Sequence, residues 1–248
     1  MGAIVEGRQP GGTAEDIVAP KGKPKPRRRA PRAAKKPPRR RLRPQEREDL
    51  IAKAAVHFFA EQGYEGHTRE LARRIGIAQP LLYRYFPSKQ ALIERVYREV
   101  FVDPWQPEWF TRLADRARPL KERLTYFYTE YAHTAIGYER VRLFILGGLK
   151  GLDINARFFK MLRERVITAV VAELRHAGGL PTLEERPMSE TEAELVWGLH
   201  AQIFYIGMRR WIYGLPVPDD LDGVIASMIS AFLDGVPREI SAHLHPKR

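Results

Sequence analysis

Between residues 79 and 89 the chain reads Gln-Pro-Leu-Leu-Tyr-Arg-Tyr-Phe-Pro-Ser-Lys. These residue types suit the surface of a nucleic acid. The Gln79 amide can donate and accept together, the pairing an adenine edge offers in a major groove. Tyr83 and Tyr85 carry hydroxyls suited to phosphate oxygens, and Arg84 stands between them as a fixed cation. Pro80 can occupy a first helical turn without losing a needed N–H. Gln79, Pro80 and Leu81 are the residues such a turn would present outward. Lys89 follows Pro87-Ser88, where a new helix start would leave free N–H groups beside its ammonium. Tyr83 could instead be a core aromatic. An apolar body with a polar tip favours the interface, while Phe86 reads as core.

The flanking residues explain how this run could be positioned. Pro44 suits a helix start, and Glu46, Glu48 and Asp49 favour its positive end. Ile51, Ala54, Ala55, Phe58 and Phe59 share one face at helical spacing, and Gly63 ends the helix. A second helix is expected from about Thr68 to Ile75, closed by Gly76, and a third from Gln79 to Tyr85. Pro87-Ser88 opens a fourth, with Leu92, Val96 and Val100 on one face. Three short helices joined by glycine turns have the dimensions of a helix-turn-helix, whose third helix enters the major groove.

At this level the residues resemble a known family. Arg47-Glu48, Ala54-Ala55, Phe59, Gly63-Tyr64, Leu71-Ala72 and Gly76-Ile77 look like the TetR-family signature. The strongest part is Leu82-Tyr83-Arg84-Tyr85-Phe86-Pro87-Ser88-Lys89 with Leu92. The resemblance covers residues 47–100. It implies a dimeric regulator that binds double-stranded DNA, with Thr68 and Arg69 as further phosphate contacts. Two positions depart from the pattern. The segment before Leu71-Ala72 is one residue short, so either His67 takes the N-cap place or Thr68 caps a shortened helix. Ala78 stands where a Ser or Thr cap is usual, which removes about 1 kcal/mol of local support.

Composition sets the wider frame. The formal charge is +12, but 13 of the 42 Lys and Arg residues lie between Lys21 and Arg43, a stretch without Asp or Glu. The remainder is near neutral. Residues 1–43 therefore read as a disordered, basic, proline-rich arm that adds affinity along phosphates without specificity. Residues 44–100 read as the helix-turn-helix domain, and 101–248 as a helical ligand-binding and dimerisation domain. The fold class is all-α.

In residues 101–248, helices are expected around Trp109, from Pro119, and across Val141–Leu146, where Gly147-Gly148 and Gly151 interrupt. Further helices are expected after Asp153 or Asn155, from Ser189 or Thr191 to Tyr213, and from Asp219 or Asp220 through Val236. The resemblance implies that the last two helices pair with those of a second subunit. Gly198, Ala201 and Gly207 would allow close helix approach there. It also implies a small-molecule pocket. Tyr126, Tyr131, His133, Phe144, Phe159, Trp197 and His200 are the candidates for lining it, for an apolar or aromatic ligand.

Other function classes find little support. Cysteine is absent. No nucleophile elbow, phosphate-binding glycine loop or metal-ligand spacing is evident, and Gly147-Gly148 with Gly151 fits no phosphate loop. The expectation is a protein that is not an enzyme, without cofactor or metal. No apolar signal core follows the basic start, and the uncharged stretch from Leu195 to Met208 is too short to span a bilayer, so a cytoplasmic protein is expected. The competing reading is a non-specific or architectural DNA binder without ligand control.

Overall fold

A computed structural model describes residues 43–244. The arm expected over residues 1–43 therefore lies, but for Arg43, outside the described residues. Those described are all-α, and no strand occurs among them.

Helix α1 spans Pro44–Gln62. The Arg43 N–H donates to the Glu46 carboxylate at 2.8 Å, closing its first turn. Gly63 ends it at φ +74°, a conformation that side chains disfavour. α2 is Thr68–Arg74 and α3 is Gln79–Tyr85, and Gly76 takes φ +69° in the turn between them. α4 is Lys89–Tyr97, capped by Ser88, whose hydroxyl accepts from the Ala91 N–H at 3.0 Å. It continues through a π turn at Arg98–Val102. Then follow α5 (Pro107–Leu113), α6 (Leu120–Ala135), α7 (Tyr138–Leu149) and α8 (Asp153–Leu162). A second π turn, Arg163–Ile167, leads into α9 (Thr168–Ala177). Two long helices close the chain, α10 (Glu190–Trp211) and α11 (Leu221–Leu244).

Four local expectations change. Gly147 and Gly148 do not interrupt a helix but lie inside α7. A Cβ on Gly147 would stand 2.7 Å from Ile154 Cδ1, so the glycine lets α8 seat against α7. Asn155 caps nothing, because Leu152 is the N-cap of α8. The Asn155 amide instead donates to the Phe144 carbonyl at 2.9 Å. α11 runs on past Val236, through Pro237, because Ile240 and Leu244 are buried and reward its continuation. Gly207 makes room inside the subunit, where a Cβ would meet Ile136 and Val141, while Gly198 has open space before it.

One continuous apolar core runs from the first helices into the rest of the chain. α1 lies on α7. Arg142 Nε donates to the Ala60 carbonyl at 2.6 Å, and exposed His57 stands between Glu61 at 2.9 Å and Glu139 at 3.3 Å. Two buried ion clusters fix the far end. Arg123 and Arg116 both grip Glu173, at 2.6 and 2.9 Å. Arg175 and Glu192 pair through two contacts of 2.7 Å, and Arg175 also donates to carbonyls of Pro181, Thr182 and Arg186. Glu192 also closes the capping box of α10 with Ser189. That joins a local helix start to a tertiary contact.

Burial opposes the Glu192 charge, but the hydrogen bonds from Arg175 and Ser189 outweigh it and hold the carboxyl below its ordinary 4.5. A depressed carboxyl stabilises the fold above its unfolded value and loses that contribution as pH falls. Glu192→Ala is expected to cost about 3–5 kcal/mol at neutral pH by stranding Arg175. In urea titrations at several pH values, the variant should also show a weaker stability loss below the ordinary Glu value of 4.5 than the parent chain.

Candidate nucleic-acid interface

Seven residues of helix cannot hold themselves in water, so α3 depends on what lies beneath it. Leu82 and Phe86 are buried under it, and Tyr85 packs half-buried beside them. Ala78 stands at its N-cap with no side-chain bond, as its methyl group requires, and Pro80 fixes the next turn. The outward face then carries half-buried Gln79 and Leu81 and exposed Pro80, Tyr83 and Arg84. The Arg84 guanidinium lies 5.5 Å from the Tyr85 ring centre.

The opposite wall comes from α2. His67, not Thr68, stands at its N-cap, and its side chain makes no cap bond. Thr68 is turned inward and is only 6% exposed. Its hydroxyl lies 2.9 Å from the Tyr83 hydroxyl and accepts from Gln79 Nε2 at 3.3 Å. Thr68 is thus placed to orient both Gln79 and Tyr83, whereas Tyr83 keeps 38% of its surface exposed. Between α2 and α3 lies an open groove of about 960 Å³. His67, Thr68, Arg69, Gln79, Tyr83 and Lys89 are among its lining residues. The sequence offers His67 only as a cap. Its place at the groove follows from the chain turning there, which no motif encodes.

Charge is distributed unevenly around this groove. Arg73 bonds Glu70 at 2.7 Å, and Arg74 reaches Glu61 at 2.6 Å and Glu70 at 3.2 Å. Arg73 and then Arg74 pull the Glu70 carboxyl down to about 2, so it stays ionised and keeps both guanidinium groups occupied. Arg69, Arg84 and Lys89 have no carboxylate within 4.0 Å among the described residues. Lys89 opens α4 one residue after its Ser88 cap, near that helix's free N–H groups.

The residues proposed to line a pocket divide into two groups. Tyr131 and His200 are buried and bonded, with Tyr131 Oη 2.8 Å from His200 Nε2. Trp197 lies 5.8 Å from His200, Phe159 5.6 Å from Trp197, and Phe144 5.3 Å from Phe159 by ring centres. That chain of rings runs from the interior to Phe159, which is 45% exposed. Tyr126 and His133 lie outside this chain. The Tyr126 ring is covered by Arg112 at 3.8 Å, and exposed His133 pairs with Asp222 at 2.9 Å. Tyr128, close to His200, completes the interior cluster.

Residues 51–96 match the family model described as bacterial regulatory proteins, tetR family. Over that segment the chain is of the TetR family. It is 34% identical over 83 residues to the HTH-type transcriptional repressor KstR2 of Mycolicibacterium smegmatis, which covers 33% of this chain and 40% of that protein. The match thus spans well under half of the curated relative's length. Among solved structures, a TetR-like transcriptional regulator from a Rhodococcus species superposes with a TM-score of 0.57 at 18% identity, covering 79% of this chain and 100% of that one. AmtR from Mycobacterium smegmatis gives 0.53 at 23% identity, covering 84% and 95%. At such identity these two speak to the fold. This chain shares that fold over about four-fifths of its length.

Two substitutions separate positioning from reading. Lys89→Ala should weaken binding to every duplex alike and lower the slope of log affinity against log salt by about 0.9. Gln79→Ala should leave that slope unchanged and relax preference at a single base position by about 1–3 kcal/mol. Binding isotherms on a preferred and a scrambled duplex across a salt series check both.

Proposed function

We propose that this TetR-family chain is a DNA-binding transcriptional regulator, a repressor that holds a palindromic operator as a homodimer and leaves it when a small ligand binds. The observation that carries the reading is the groove between α2 and α3. In it Gln79 and Tyr83 lie beside Arg69 and Lys89, which have no carboxylate partner among the described residues, on a helix packed from below. A readable amide and hydroxyl inside a positive frame suit a major groove. The repressor sense draws on the KstR2 likeness over the matched residues.

Dimerisation is supported by the outer faces of α10 and α11. Gly198, Ala201, Gln202 and Tyr205 line one, and Ser227, Ala231 and Gly235 lie on the other, all outward and uncharged. Such faces let helices approach closely, and a two-fold pair presents two reading heads to two half-sites. The working division is an arm at 1–43 that adds non-specific affinity, a reading head at 44–100 and a ligand-binding, dimerising body at 101–248. The Tyr131–His200 cluster and its rings are the ligand-facing part of that body. A role in the cytoplasm, without catalysis, accords with this division. No helix among the described residues is long and apolar enough to cross a membrane.

Site selection from random duplex DNA tests the reading, with the full chain and with a version lacking residues 1–43, each at two salt concentrations. Both versions should enrich the same palindrome, and the arm should change affinity and salt slope alone. Enrichment of no motif by either version, with binding abolished by the truncation, would overturn the proposal in favour of a non-specific polycationic binder.

A further inference from the structure

Arg140 is an arginine that neither the reading head nor the proposed dimer face uses. It sits in the first turn of α7 and is only 5% exposed. Its Nη2 donates to the Val100 carbonyl, in the π turn that ends the α4 segment. Its Nε is buried without a hydrogen-bond partner. Among the described residues no carboxylate lies within 4.0 Å of it, whereas the other deeply buried arginines, Arg123 and Arg175, each hold one. The Phe101 and Phe158 rings lie 5.5 and 5.9 Å from its guanidinium carbon.

Two more buried polar atoms belong to the same interior. Tyr128 Oη and His200 Nδ1 both lack partners. Their rings are 6.2 Å apart, and both adjoin Tyr131, at 6.3 and 4.6 Å. Burial lowers the His200 imidazole to about 4, so it is neutral near pH 7 and carries one ring N–H. One cation and several neutral hydrogen-bonding groups thus converge within walls of aromatic rings. Leaving such groups unsatisfied in an apolar interior is costly, most of all for a guanidinium.

We infer that Arg140, with Tyr128 and His200, is the receptor for a singly charged organic acid whose carboxylate enters the body between α6, α7, α8 and α10. Charge balance selects the class. One carboxylate neutralises one guanidinium, whereas a phosphate dianion would leave excess charge buried. The apolar remainder of the acid lies along Phe144, Phe158 and Trp197, toward the half-exposed edge at Phe159. The inference rests on the proposal that residues 101–248 bind a ligand, and it names the class of that ligand. Because Arg140 also holds the Val100 carbonyl, the arriving carboxylate shares its anchor with the segment that ends α4.

The test uses the full chain with a panel of alkyl and aryl carboxylates, from hexanoate to 3-phenylpropanoate, each paired with its primary amide. Binding is read by calorimetry and by the ¹⁵Nε resonance of Arg140, assigned from its loss in Arg140→Lys. Acids are expected to bind at least about tenfold more tightly than their amides and to move that resonance. Arg140→Met should erase the preference while the circular dichroism stays helical. Should Arg140→Met fail to fold, the parent chain's resonance decides. An absence of acid-over-amide preference across the panel, or an Arg140 resonance that no acid moves, would overturn the inference. Release from a selected operator by acids and amides equally would sink it and leave ligand control standing. Acid binding with no release from DNA would do the reverse.

Discussion

The reading surface depends on a short helix that has no means of holding itself. α3 has seven residues, an alanine where a cap would sit and no hydrogen bond from that position. Its conformation is set by the burial of Leu82 and Phe86 in the common core, and its approach to α2 by the positive φ of Gly76. Short helices in water are unstable, and tertiary packing supplies what propensity does not. Gln79 and Tyr83, the proposed reading residues, therefore inherit their positions from residues buried beneath them. The Thr68 hydroxyl refines those positions further by bonding to both.

The same packing constraint ties the head to the body. α1 lies on α7, with Arg142 bonded to the Ala60 carbonyl, and Arg140 of α7 reaches the backbone just beyond α4. Two arginines of one helix thus touch α1 and the π turn that follows α4. A shift of α7 bears on α1 and on the turn after α4 through specific backbone carbonyls, a physical route for the ligand control proposed above. It also explains why the apolar core is continuous across residue 100, where chemistry would place a boundary.

Electrostatics follows burial throughout. Where arginines enter the interior near α9 and α10 they are matched by Glu173 and Glu192, and these pairs fix the far end of the bundle. Near the groove, Arg73 and Arg74 are neutralised by Glu70 and Glu61, while Arg69, Arg84 and Lys89 stay without carboxylate partners among the described residues. Composition does not reveal this division, because five basic residues in one head look alike until folding assigns carboxylates to some of them.

Local rules in the sequence already determined most of the helices, the glycine turns at Gly63 and Gly76, the Ser88 cap and the family motif at 82–89, and narrowed the start of α10 to Ser189 or Thr191. These depend on neighbours within one or two turns, so spacing and residue type suffice. What only the tertiary structure decided depends on distant neighbours. Gly147 looked like a helix stop and became a seat for α8, because Ile154 needed its missing Cβ. Thr68 looked like a phosphate contact and was turned inward to Tyr83. His133 and His200 looked equivalent as pocket-lining candidates, yet one lies on the surface against Asp222 and the other is buried against Tyr131. Arg140 resembled any other helical arginine until the fold enclosed it. A side chain's partner across the core is chosen by packing between helices far apart in the chain, and periodicity within one helix carries no record of it.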